Sequence, residues 1–397
     1  MYVNIKTGMF LLLCFACEII IPDCASAAWE EPTGKPFKRA MIFSGLALDF
    51  TAYIGLYDAA VDNHCEPDLI IATSGGAVAA AIIAAYPDKA ERLKYLESDE
   101  FFDFLNSVTI EEARPAPYLA QLVRWFPRKY GLAPLTPDLF GRPLASLPPP
   151  AENNSFNIPF PTRAKGPRII LIAGRIDYTK GNALRPGRKL FTETWFTDAL
   201  TGAFLEGFNS PVATRYPRCS IACPVSVETE NLVADGLKAS IAEPHLLVPT
   251  CVDGKWYTGG AIDLWPVELA ASLAEETVLP KLGNLTRIVE TIFGSVFQYS
   301  NRKRLQDIEK NTVATRVDME DNREAMKEVS FWFNIRLDRM AGRNDTSCLS
   351  HRRSSSGYLI PRPRIYYKGP KDYDDFLYRV GVQYEYGYRC GQKSLGS

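Results

Sequence analysis

Asp68-Leu69-Ile70-Ile71-Ala72-Thr73-Ser74-Gly75-Gly76-Ala77-Val78 is an apolar run that ends in a serine and two glycines, followed by small residues as far as Ala85. A buried strand that runs into a serine and then a helix has the form of a nucleophile elbow. The serine of such an elbow sits on a sharp strand-to-helix turn, and its neighbours are small so that the backbone can bend. The helix behind it presents backbone N–H groups with no intrahelical acceptor, donors suited to a developing oxyanion. Ser74 is therefore a candidate nucleophile and Gly75 a candidate oxyanion donor. Close packing at a strand–helix crossing is the plainer account of the same small residues.

Working outward, Arg39 to Ser44 reads as a buried strand stopped by Gly45, and Phe50 to Asp62 reads as a helix. Strand, helix, strand, helix in that order implies a parallel sheet with right-handed crossovers. Residues 88–130 read as mostly helical, and the proline- and asparagine-rich stretch 141–167 as a loop or insertion. Arg168 to Ala173 is a buried strand, and Phe196 to Phe204 reads as a helix. Leu246-Leu247-Val248 and Lys255-Trp256-Tyr257 read as short strands about an Asp253-Gly254 turn. Pro266 opens a helix that runs through Glu276. Beyond residue 284 the pattern shifts to a segment that turns basic at Arg302-Lys303-Arg304. A serine- and arginine-rich stretch near 343–357 reads as mobile, and Tyr373 to Tyr388 as helical.

The chain has 397 residues, 46% hydrophobic and 23% charged, with a net charge of −1. That balance gives no global field toward nucleic acid or an anionic membrane. The short basic clusters Arg302-Lys303-Arg304 and Arg352-Arg353 read as solvated faces. At the N-terminus, Lys6, the apolar run Met9 to Cys17 and Ala25-Ser26-Ala27 have the layout of a signal peptide over residues 1–27, which implies export. A membrane-anchored N-terminus is the alternative. Cleavage there leaves six cysteines, and Cys219 and Cys223 are a local candidate for a disulfide. With three histidines and no paired CxxC, no metal site is expected. No dinucleotide fingerprint or P-loop is present, so no cofactor is expected.

A serine hydroxyl needs a base. His64 lies before the elbow strand, at the far end of the sheet. His245 and His351 have no acidic partner at a telling spacing, although Glu243 is close to His245 in sequence. A Ser–His–Asp triad is not supported. Three stretches, in order after the strand at Arg39, resemble the patatin-like phospholipases. They are the elbow at Ser74, Lys238-Ala-Ser-Ile-Ala-Glu-Pro244, and Asp253-Gly-Lys-Trp-Tyr-Thr-Gly-Gly-Ala-Ile-Asp-Leu-Trp-Pro-Val267. Gly55 stands where the family has a helical glycine after its oxyanion loop. The resemblance covers roughly residues 38 to 272. It implies a three-layer α/β fold, with a mainly parallel central sheet flanked by helices, and a serine–aspartate dyad acting on lipid esters.

The departures from the family pattern fall on the chemistry. Ala72 replaces the first glycine of the elbow. The oxyanion loop reads Ser44-Gly45-Leu46-Ala47-Leu48-Asp49, with Gly45 its one remaining glycine and Asp49 where the family has an arginine. Side chains restrict such a loop, and a carboxylate beside an oxyanion repels it. At the position of the dyad aspartate the sequence reads Thr258-Gly259-Gly260, and threonine cannot accept a proton near neutral pH. Asp263 is then the first candidate base and Asp49 the second, while Asp253 reads as a turn residue.

The expectation is a patatin-like serine acyl hydrolase with Ser74 as nucleophile and oxyanion donors at Gly45 and Gly75. Its partner is a lipid or membrane surface rather than nucleic acid. The alternative is an inactive patatin-like protein that binds lipid or acts as a scaffold. The expected organisation is a signal peptide over 1–27, an α/β domain over 36–280, and a mostly helical C-terminal extension over 281–397.

Overall fold

Side chains that alternate along the strands sort this chain into layers. The computed structural model describes residues 34–45, 49–110, 137–141, 143–147, 155–162, 166–179, 188–281, 287–311, 314–319, 326, 328–331, 333–337 and 363–395. The chain divides into Met1–Pro36 and Phe37–Ser397, and the fold below is that of the second unit. The expected signal peptide, the serine-rich stretch 343–357 and His351 lie outside the described residues.

Nine strands form one sheet: β1 (Phe37–Phe43), β2 (Leu69–Thr73), β3 (Arg168–Ile176), β4 (Phe191–Phe196), β5 (Ile221–Glu228), β6 (Thr250–Val252), β7 (Lys255–Thr258), β8 (Ala274–Lys281) and β9 (Thr315–Asp318). Their order is β9-β8-β1-β2-β3-β4-β5, with β7 paired to β3 and β6 to β7. The strands β9, β8, β1, β2 and β3 run parallel. β4 is antiparallel to β3 and parallel to β5.

Met41, Phe43, Ile70, Ala72, Ile169 and Leu171 face one hydrophobic cluster. Their neighbours Ala40, Ile42, Leu69, Ile71, Ile170 and Ile172 face the other, the period of two that a strand imposes. The helices α1 (Thr51–Asp62), α2 (Gly75–Ala85), α3 (Val233–Ile241) and α5 (Tyr373–Leu395) cover the first face. Val267–Leu273, Arg287–Phe297 and α4 (Asn301–Asn311) cover the second. The result is a three-layer α/β fold with a mainly parallel sheet.

Local composition misleads in four places, the first being the strand expected at Leu246-Leu247-Val248, which forms instead over Thr250–Val252. Residues 191–196 form a strand where a helix was expected to begin at Phe196, and the helical turn is confined to Ala199–Ala203. The helix after Pro266 stops at Leu273, and Ala274 opens β8. Ala274, Glu275 and Glu276 are adequate helix formers, but here they pair with β1, and Arg39 meets Glu276 at 2.5 Å. Tertiary pairing overrides propensity. Cys219 and Cys223 are both free, the first buried and the second exposed, so the expected local bridge is not formed. Cys219 Sγ instead accepts a hydrogen bond from the Ile221 N–H at 3.4 Å.

The region after residue 281 is built into the α/β unit. β9 extends the sheet beside β8, and Phe333–Leu337 pairs antiparallel with Pro363–Tyr367. α5 lies against α1 so closely that a Cβ at Gly387 would fall on the Ala52 carbonyl, and one at Gly55 on the Tyr384 carbonyl. By contrast, a Cβ at Gly381 of the same helix would meet nothing within 4 Å. Both Gly→Ala changes gain helix propensity of roughly 0.5–1 kcal/mol. Gly381→Ala should therefore stabilise the protein, whereas Gly387→Ala should lose about 1–3 kcal/mol to overpacking. Urea unfolding followed by circular dichroism reads both, and equal effects at the two sites would contradict the close docking of α5.

Candidate active site

Two strands run toward each other along one edge of β3. β2, parallel to β3, ends with Thr73 opposite Ile172. β7, antiparallel to β3, ends with Thr258 opposite Gly174. β4 occupies the other edge over the same residues of β3. The chain must leave both strands in the short gap between them, so Ser74 and the glycines 259 and 260 are brought together. A Cβ at Gly260 would lie 2.6 Å from the Ser74 nitrogen and 3.0 Å from Ser240 Oγ.

Ser74 takes φ 53° and ψ −126°, a conformation that costs a non-glycine residue on the order of 1–3 kcal/mol and persists only where the surroundings impose it. Three contacts impose it here. The Ser74 N–H donates to Ser240 Oγ at 2.9 Å, and the Ser74 carbonyl accepts from the Ala77 N–H at 2.9 Å. Behind it α2 passes so close to the end of β1 that a Cβ at Gly76 would meet the Phe43 carbonyl. α2 is buried from Gly75 to Ile83, which explains its nearly unbroken run of small and apolar residues. Gly75 is its first residue, where a backbone N–H has no acceptor within the helix. Gly45 lies across from the serine, and a Cβ there would stand 3.6 Å from Ser74 Oγ.

The ionisable group at this elbow is Glu243, in the turn between α3 and β6. Its backbone is pinned: the carbonyl accepts from the N–H groups of Leu246 at 3.0 Å and Leu247 at 3.1 Å. Its Oε2 accepts from the Ala261 N–H at 3.3 Å. Its Oε1 is buried with no partner in hydrogen-bond geometry among the described residues. Burial pushes the carboxyl up to about 8, and the Ser74 hydroxyl and the Ala261 N–H hold it from going further. No hydrogen bond joins the Ser74 hydroxyl to this carboxyl among the described residues, and catalytic hydrogen bonds commonly tighten only once substrate is bound. Among the described residues no cluster of His, Cys, Asp and Glu could hold a metal ion.

The sequence profile described as Patatin-like phospholipase matches residues 41–271, more than half of the chain. The chain belongs to the patatin-like phospholipase family. No curated protein matches it in sequence. Among solved structures, that of VipD from Legionella pneumophila is similar at 11% identity and a TM-score of 0.31, over 90% of this chain and 67% of that one.

Patatin-like enzymes resemble this chain at the elbow, and the fate of each expected residue can be followed from there. Gly45 and Gly75 lie beside Ser74, one across from it and one as the first residue of α2. Thr258 lies one residue short of the glycine that faces Glu243, and its hydroxyl donates to the Ala242 carbonyl at 3.1 Å. Asp263 is not directed at the serine. Its carboxylate is fully buried, ion-paired with Arg304 at 3.0 Å, and accepts from the Trp265 N–H at 3.2 Å. Arg304 also bridges to Glu268 at 2.5 Å. Asp49 accepts from Ser330 Oγ at 2.6 Å, from the Phe331 N–H at 3.2 Å and from Gln383 Nε2 at 3.3 Å, and burial lifts it to about 6. Both candidate bases are engaged with the C-terminal region. Asp253 is a turn residue with φ 48°.

The raised carboxyl has a consequence for stability. Folded Glu243 keeps its proton up to about 8, whereas the unfolded side chain loses it near 4.5. Between those values the folded state holds the extra proton, so this group's contribution falls as pH rises through the window and stays low above it. Glu243→Gln keeps an oxygen for Ala261 and cannot ionise. Its melting temperature should gain on the wild type as pH goes from 5 to 9, and an offset that does not change with pH would contradict the buried, raised carboxyl.

Proposed function

We propose that this protein is a serine acyl hydrolase of lipid esters with Ser74 as nucleophile. The strained elbow carries the reading, because it presents a buried serine at φ 53° at the mouth of a helix, a conformation that costs on the order of 1–3 kcal/mol and clusters at functional sites. Family membership favours a lipid ester as the substrate class. The Ser74 hydroxyl attacks the ester carbonyl, and the N–H groups of Gly75 and Gly45 receive the oxyanion. The acyl group rests on Ser74 until water releases it. Export through residues 1–27 is part of the same proposal and would place the hydrolase where it meets lipid outside the cytoplasm.

The second reading, a lipid-binding protein without turnover, is favoured by one observation: the turn that faces Ser74 carries Gly259 and Gly260 and no aspartate. The two readings diverge in one experiment. Incubated with an alkyl fluorophosphonate, wild-type protein should be labelled once, at Ser74, and Ser74→Ala should not be labelled while remaining folded. Hydrolysis of a p-nitrophenyl acyl ester should fall by at least ~100-fold in the same variant. Lipid binding with no labelling of the wild type at any pH would favour the second reading.

A further inference from the structure

The backbone at Gly259 is ordinary, with φ −54° and ψ 177°, so any L-residue could adopt it. The side-chain space there is nonetheless taken. A Cβ at Gly259 would stand 2.5 Å from Cδ and 2.6 Å from Oε2 of Glu243, and 2.7 Å from its Cα. The Glu243 carboxyl therefore fills the volume into which a residue at 259 would project, in the turn that meets the Ser74 elbow. We infer that Glu243 is the general base for Ser74, a carboxylate delivered from the α3–β6 turn into the place that a side chain at position 259 would occupy. This rests on the hydrolase reading above and adds the residue that makes it chemically complete.

Three observations support the assignment besides the shared volume. Glu243 is the carboxyl whose ionisation responds to the Ser74 hydroxyl, and no charged side chain contributes to its shift. The titratable side chain two positions away is His245, itself buried, and the groups that face the carboxyl are Ser74, Ala261 and Gly259. Among the described residues its Oε1 is buried without a partner, which is costly for a purely structural carboxyl. Finally, the turn is fixed by the hydrogen bonds of Leu246 and Leu247 to the Glu243 carbonyl, the preorganisation that a base needs.

In the first step the Ser74 Oγ–H proton passes to Glu243 as Oγ bonds to the ester carbonyl carbon. Collapse of the oxyanion breaks the bond to the alcohol oxygen, and the departing alkoxide takes the proton back from Glu243. Water then attacks the acyl carbon and gives a proton to Glu243. The carbon–Oγ bond breaks, and Glu243 returns the proton to Ser74. Only the ionised carboxyl can begin this cycle, so the rate should rise through pH of about 8.

The test is the rate of alkyl fluorophosphonate labelling between pH 5.5 and 9.5 for the full chain and its variants. Glu243→Gln should lose ~100-fold or more at pH 8.5. Formate added to Glu243→Ala returns a carboxylate to the emptied space without placing a Cβ at 259 against the backbone of residue 243. Labelling should recover at least tenfold over Glu243→Ala alone, with a midpoint below that of the wild type. This rescue keeps the assignment testable if Glu243→Gln folds poorly. Wild-type rates in Glu243→Gln, or a wild-type profile flat across pH 7–9, would overturn Glu243 as base and leave the Ser74 reading standing. No labelling of the wild type at any pH would overturn both.

Discussion

The head-on approach of β2 and β7 along one edge of β3 is the constraint on which the rest depends. Two residues of β3, from Ile172 to Gly174, separate the points at which the two strands end. Whatever follows each strand must turn away in that gap, and neither turn tolerates a side chain pointed at the other. This requires glycine at 260, where a Cβ would press on the Ser74 nitrogen; the close pass of α2 over the end of β1 separately requires glycine at 76, where one would press on the Phe43 carbonyl. Ser74 is forced to positive φ between them. The reactive geometry of the serine and the close packing of the sheet are one arrangement, so the packing account and the catalytic account of these small residues are not rivals.

A second tier of buried charge keeps the gap in shape. Arg304 of α4, fully buried, holds Asp263 and Glu268 on the loop and helix that follow Gly260. Asp49 is held by Ser330, Phe331 and Gln383. Removing one partner of such a buried pair costs roughly 3–5 kcal/mol, because the other charge is left uncompensated. The described residues of the C-terminal region therefore hold both Asp263 and Asp49 in place. They thereby take up the two aspartates that sequence alone offers as bases, and Glu243 is left as the carboxyl at the serine.

What the sequence reveals follows from how local each feature is. The elbow is legible because strand, serine and helix are contiguous and the small residues are all within one stretch. The mainly parallel sheet is legible from the order of its first elements. The strands at 191–196 and 274–281 are not, because their pairing with β3 and β1 comes from distant sequence. Asp263 looks available until Arg304, 41 residues away, is seen to hold it. Glu243 lies in the Lys238–Pro244 stretch that marks the family, yet its neighbour His245 draws attention first. Only the fold shows that its carboxyl enters the side-chain space of Gly259. The one signal in the sequence is an acidic residue directly after Ala239-Ser240-Ile241-Ala242, a run of small and apolar residues.

The most direct measurement is the carboxyl carbon titration of Glu243 by NMR, with glutamate labelled at Cδ and the signal assigned by its loss in Glu243→Gln. The account predicts a midpoint near 8 in the wild type. It also predicts a further upward move in Ser74→Ala, because the serine hydroxyl that favours the ionised form is gone. A midpoint in the ordinary glutamate range, or one that Ser74→Ala leaves unmoved, would mean that the carboxyl does not address the serine and would contradict the dyad.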